Sequence, residues 1–542
     1  MIRLRLPALL ALLAAALGAA APASGAAPGG GTLTVLYSST DMIFDPAWVT
    51  GAPTTLPGLV LRRLTTWDAE PGRPPVAAPD LATDTGRSSD GGRTWTYTLK
   101  PGLRYEDGTP ITSADIKYGI ERSFAPEVTR GLGYHKTLLV GGAGYRGPHT
   151  GAGLDSIETP DSRRIVFHLR VAYRDWPWIV ATAPFTPVPR AKADLKNYRY
   201  RPVASGPYRI ATSVPGSRVE LVRNPHWDPA TDPVRTAAPD RIVVELGRSE
   251  AEQFDRVTAD TDAARDTIAV GMIPQDRLPR VAGDPDLRRR LVRSEPSFLS
   301  YLAINNRRGA LQQLKVRQAI QYAVDKAAVA EAVGALTAAV PASTLIPPGM
   351  PGHVQYDLYP AGPSGDVATA KRLLAEAGHR VLRLTMRIFD DESTRTRAVL
   401  IQRALARAGI VVEIRKLGYD AWIAANRAGD ADYDLKLSGW IPDYPGAASS
   451  LQPLYSSGSE LTPTWYSRPD VDAAMERALA EPDPARAQAQ WAALDRRIMK
   501  DAPVVPLIYQ GILMLRGSNV RNFSITSAPA AIDLLRVSLD HG

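Results

Sequence analysis

The chain has 542 residues, 44% hydrophobic and 22% charged, with a formal net charge of +8 and no cysteine. This is ordinary globular composition, with core material for several domain-sized units. The missing cysteines exclude disulfides, thiol catalysis, cysteine-ligated metals and a lipid-bearing cysteine. The basic residues are scattered, densest at Arg288, Arg289 and Arg290, without the aromatic-interleaved stripe of a nucleic-acid binder.

At the N-terminus Arg3 and Arg5 precede an uncharged apolar run, residues 6–21, followed by Ala21-Pro22-Ala23 and Ser24-Gly25-Ala26 as candidate cleavage sites. That is the pattern of a secretory signal peptide, expected over 1–26. The run is short and Ala-rich against the ~20 strongly apolar residues of a membrane span. No later segment is apolar enough to span, so the mature protein is expected to be exported, periplasmic or extracellular, with no stable membrane insertion.

Strands and helices then alternate irregularly. TLTVLYS (32–38) reads as an opening strand. TWTYTLK (94–100) places Trp95, Tyr97 and Leu99 on one face and three threonines on the other, a half-buried strand. RRIVFHLR (163–170), RIVVEL (241–246), IVVEIRKL (410–417) and VVPLIY (504–509) are further strands. Thr112-Ser113-Ala114-Asp115 resembles a capping box opening a helix. Residues 316–336 read as one long helix, and ARAQAQWAALDRRIMK (485–500) as another. Gly378 and Gly409 suit the left-handed position after helix ends. The class is mixed α/β with more than one lobe.

Catalytic constellations are missing. There is no G-x-x-x-x-G-K-[ST], G-x-S-x-G or H-E-x-x-H, and the seven histidines lack ligand spacing. No cofactor, no metal and no enzymatic activity are expected. The stretch SGWIPDYPGAASSL (438–451) stands apart. It sets Trp440, Asp443 and Tyr444 after an apparent strand, in a loop stiffened by Pro442 and Pro445. Read from residue type alone, Trp440 serves as a cleft wall or a core filler, and Asp443 as a ligand or a turn former.

Several blocks belong together: PDLATDTGRSSDGGRTWTYTLKPGLRYEDGTPITSADIKYGIER (79–122), SGPYRI (205–210), LVRNPHWD (221–228), LAINNRRGALQQLKVRQAIQYAVDK (302–326) and PVVPLIY. In this order and spacing they resemble the extracellular solute-binding proteins of family 5. These are the oligopeptide-, dipeptide- and nickel-binding components of ABC importers. The resemblance covers nearly the whole mature chain.

The resemblance implies a two-lobed α/β clamshell with an extra domain inserted in the first lobe. Lobe I would comprise 27–62, 200–300 and 505–542, the insert 63–199, and lobe II 301–504. Two chain crossings, near 300–303 and 504–506, would form the hinge. It also implies a ligand between the lobes, a permease and ATPase as partners, and a monomer. By position in the family, Asp443 would take a peptide's α-ammonium. Gly439, Trp440 and Ile441 would supply a backbone edge, and Thr50, Gly51 and Ala52 the facing edge. Tyr419 and Tyr509 are further aromatic positions, and Tyr509 equally suits a core. Arg317 and Asp325 read as structural. Two features depart from the family pattern. Leu437 stands where oligopeptide binders carry an arginine for a tripeptide carboxylate, with Lys436 on the opposite strand face. The lipobox cysteine is missing. The alternative is a clamshell recruited to sequester or transform a small molecule, with Asp443 as a base.

Overall fold

The computed structural model describes residues 30–541 apart from 71–72, 129–130, 194–197, 363, 428 and 460–462; the expected signal peptide lies outside them. Two large sheets organise the chain. One has seven strands in the order Leu291–Arg293, Leu513–Arg516, Thr267–Ala269, Thr32–Leu36, Arg241–Glu245, Arg218–Arg223 and Tyr208–Val214. The other has six, in the order Val340–Pro341, Val504–Gln510, Phe298–Ile304, Leu435–Trp440, Leu382–Phe389 and Ile410–Leu417. The first sheet thus gathers strands from three stretches of chain. A four-stranded sheet, Arg87–Ser89, Thr94–Thr98, Arg164–His168 and Ile157–Glu158, lies in the segment between Leu36 and Tyr208. This is the two-lobed α/β architecture with an added unit.

Local chemistry explains most elements. In Thr94–Thr98 the aromatic residues are buried and the threonines half-buried, as period-two alternation requires. Asp115 Oδ2 accepts the Thr112 amide at 2.8 Å and caps helix Ser113–Arg122. Gly378 and Gly409 take φ of +83° and +89° after helices Val367–Glu376 and Glu392–Arg407. The single helix expected over 316–336 is instead two, Leu314–Ala323 and Lys326–Ala332. The break occurs because Val324 is extended and the Asp325 carboxylate caps the second helix through the Ala328 amide. Arg317 donates to the carbonyls of Leu311, Gln312 and Asp501, a structural role.

The strand Phe298–Ile304 is buried on both faces, which its near-continuous apolar sequence FLSYLAI provides for. Leu299, Tyr301 and Ala303 join a core shared with Trp67, Tyr97, Phe167 and Trp176 of the inserted segment. Leu302 and Ile304 join a second core with Leu384, Leu405 and Leu435. The seven-stranded sheet has its own core around Leu33, Leu221 and Ile242. Near its junction with the insert, buried Asp80 bridges Arg62 at 2.7 Å and Arg235 at 3.0 Å.

The chain passes between the two large sheets at residues 294–297 and 511–512, a few residues from the expected crossings. Val504–Gln510 and Phe298–Ile304 pair wholly within the six-stranded sheet, so residues 505–510 and 298–300 go with that sheet rather than with lobe I. The two passages are hydrogen-bonded to each other: the Ser294 amide donates to Ile512 O at 3.1 Å, and the Ile512 amide to Ser294 Oγ at 2.9 Å.

Candidate ligand-binding site

Leu435–Trp440 is paired along its whole length with Phe298–Ile304 on one side. On the other side it pairs with Leu382–Phe389 only at Leu435 and Lys436. Beyond Lys436 the parallel neighbours part, and Ser438–Trp440 has no second strand partner among the described residues. A half-paired backbone at the carboxyl end of parallel strands is where open α/β sheets bind ligands. Trp440 itself belongs to the strand rather than to the loop, which begins at half-buried Ile441.

Gly439 lies opposite Ser300, and a Cβ there would sit 2.2 Å from Phe298 Cζ. Only glycine fits beneath that ring. Trp440 is half-buried against the shared core, and its indole N–H donates to Ser449 O at 2.9 Å. It is therefore both a wall and a packing residue. Leu437 is buried. Lys436 faces the opposite way, donates to Asn426 Oδ1 at 2.6 Å and stacks over Trp422; burial pushes its ammonium down to about 8.

The loop delivers Asp443 to the inserted segment. Asp443 Oδ2 accepts the Tyr134 hydroxyl at 2.6 Å. Burial pushes the Asp443 carboxyl up to about 6, and the Tyr134 bond only partly opposes that. The Tyr134 ring meets Tyr444 edge-on at 5.5 Å, and the Tyr444 and Tyr173 hydroxyls share a 2.7 Å hydrogen bond. Tyr444 is buried, so the loop is anchored by it while Asp443 stays on the rim. Beyond the loop a cavity of about 210 Å³ lies between Asp175, Gly446 and Trp491. Burial also pushes Asp175 up to about 6, against the pull of Arg174.

Of the other expected positions, Thr50 and Gly51 are exposed, and Ala52 packs against the same core that Trp440 borders. The Ala52 carbonyl accepts the Thr55 hydroxyl at 2.9 Å. Tyr509 is buried, with its hydroxyl engaged by the Thr344 amide, hydroxyl and carbonyl. It is a core residue. Tyr419 opens helix Tyr419–Arg427, and its side chain lies outside the described residues. Tyr134 was not legible in the sequence: it stands in no motif, 309 residues from its partner.

Comparison with known proteins matches residues 77–461 to the model of the bacterial extracellular solute-binding proteins, family 5. The probable D,D-dipeptide-binding periplasmic protein DdpA of Escherichia coli (strain K12) is 25% identical, over 82% of this chain and 81% of that protein. Di/tripeptide-binding protein 4 of Pseudomonas aeruginosa (strain UCBPP-PA14) is 27% identical over 96% of each. Among solved structures, clavulanic acid biosynthesis oligopeptide binding protein 2 superposes with a TM-score of 0.86 at 32% identity, covering 95% of this chain and 96% of that one. Haemophilus influenzae OppA in complex with the peptide RPPGFSPFR gives 0.76 at 19% identity, covering 94% and 99%, a likeness of fold.

Proposed function

The chain belongs to the bacterial extracellular solute-binding proteins, family 5, and on that premise we propose that it is the exported binding component of an ABC importer, closing on a peptide or peptide-like ligand. The observation that carries this reading is the pairing of a free backbone edge at Ser438–Trp440 with a rim carboxylate, Asp443, four residues past Gly439. An extended peptide can add to such an edge through main-chain hydrogen bonds, which tolerate many side chains. Its α-ammonium then meets the Asp443 carboxylate in a charge-assisted bond. Thr50, Gly51 and Ala52 supply the facing edge, and Tyr134 orients the carboxylate. Tyr509 is not among the proposed contacts.

The names of the relatives, D,D-dipeptide-binding and di/tripeptide-binding, favour a peptide. They favour binding over transformation of the ligand. The partners in this reading are a membrane permease with its ATPase, and the protein acts as an exported monomer. In this reading lobe I comprises 27–62, 200–297 and the segment from 511 onward, with the insert at 63–199 and lobe II between the two passages. No helix among the described residues is long and apolar enough to cross a membrane.

Native mass spectrometry of the purified protein, followed by mass analysis of what it releases on denaturation, tests the reading. A spread of co-purified peptides is expected. A single non-peptide mass would discard the peptide assignment and favour a recruited clamshell.

A further inference from the structure

We propose that Arg397 receives the carboxylate of the ligand, so that the site selects a compound carrying both an ammonium and a carboxylate. This rests on the peptide-binding reading above and names the group that the Leu437 position cannot supply.

Arg397 projects from helix Glu392–Arg407. Its Nη1 donates to Ser300 Oγ at 3.0 Å, its Nη2 to Thr394 Oγ1 at 3.0 Å, and its Nε to Ser393 O at 3.3 Å. All three acceptors are neutral. Among the described residues no carboxylate forms an ion pair with it, whereas nearby Arg387 and Arg395 are neutralised by Asp430 and Asp390, each at 2.8 Å. A guanidinium has five N–H donors, so these three bonds leave two unassigned.

Its position matters as much as its charge. Ser300 lies directly across from Gly439, on the strand face where Gly439 presents no side chain. The guanidinium therefore lies beside the stretch whose other backbone edge is unpaired. Two hydroxyls and a carbonyl fix its orientation without cancelling its charge. Burial pulls its pKa down, with Asp391 the acid that opposes this. A desolvated, oriented and unneutralised cation is the state that gains most from an incoming carboxylate.

The test uses the full chain, a series of alanine peptides of two to five residues, and each peptide as free acid and as C-terminal amide. Titration calorimetry is run on wild type, Arg397→Gln and Arg397→Lys, with thermal melts confirming folding. In wild type, amidation should weaken binding at least about tenfold for the best-bound length. In Arg397→Gln the acid and the amide should bind within about twofold of each other, and Arg397→Lys should restore part of the preference. An equal amidation penalty in wild type and Arg397→Gln overturns the proposal. If no peptide binds wild type, the peptide reading falls instead, and the arginine is read directly. The Arg397 Nε–Hε resonance, assigned by its loss in Arg397→Gln, should move with propionate and not with propionamide. No movement with propionate also overturns the assignment.

Discussion

The Asp443 carboxyl makes ligand affinity pH-dependent in a way that can be worked out in advance. Burial holds it at about 6, against an ordinary value of 3.8. An ammonium pairs with the ionised form only, so binding must expel the proton whenever the pH is below about 6. At pH 5 only about one tenth of the carboxyl is ionised, and each further unit costs about tenfold in affinity. Affinity for an alanine peptide should thus rise about tenfold from pH 5 to 6.5 and level off by pH 7. Above pH 8 it should fall again as the peptide's own amine, ordinarily near 7.7–8.0, loses its proton. In Tyr134→Phe the carboxyl loses the bond that favours its ionised form. The lower limb should then shift upward. In Asp443→Asn the lower limb should vanish, along with about 2–5 kcal/mol of affinity if the pair is desolvated. Titration calorimetry in buffers of different ionisation heat reads both the affinity and the protons released. A wild-type profile flat between pH 5 and 7, with no proton release at pH 5, refutes the pairing of Asp443 with an ammonium.

Gly439→Ala should destabilise the protein by about 1–3 kcal/mol or more, because its Cβ meets Phe298; Phe298→Leu in the same chain should recover part of this in urea unfolding. Asp80→Ala should cost about 3 kcal/mol by leaving buried Arg62 and Arg235 with Asp232 as their one remaining shared carboxylate, read as a lowered urea midpoint. Asp175→Asn should stabilise. Its folded value, about 6, lies above the ordinary 3.8, so the folded state binds the extra proton between those values, and stability falls as pH rises through that window. The ionised form is penalised by at most about 3 kcal/mol above pH 6. The gain from Asp175→Asn should therefore appear in melts at pH 7.5 and disappear at pH 3.5.

What the sequence made legible was whatever depends on near neighbours. The alternation in TWTYT, the Thr112–Asp115 cap and the left-handed Gly378 and Gly409 are local facts with local causes. The helix break at Val324 was also local, yet Asp325 was hidden inside an unbroken apolar period that made 316–336 look continuous. Trp440 read as a loop residue because Pro442 follows closely, while its strand pairing with Leu299 comes from 141 positions away. Tyr509 read as either cleft or core, and only the surroundings of Thr344 decided for the core. Asp443 was found through its motif. Its tyrosine partner was not, because helix Tyr134–Leu138 carries no pattern that marks one hydroxyl as special.

The geometry at Asp443 bears on how such a site discriminates. Tyr134 occupies one carboxylate oxygen, and among the described residues Oδ1 has no hydrogen-bond partner. A ligand ammonium can therefore approach Oδ1 without displacing the phenol, and the loss of the phenol's own bond to the carboxylate need not be set against the gain of the new one. The same phenol holds the carboxylate in one orientation, which reduces the ordering cost of binding. A hydroxyl-terminated ligand could occupy Oδ1 too, but as a neutral donor it would do little to favour the ionised carboxyl that burial disfavours. Discrimination for an amine over an alcohol thus follows from the desolvation that raises the Asp443 pKa. It should weaken below pH 5, where the protonated carboxyl no longer distinguishes between them.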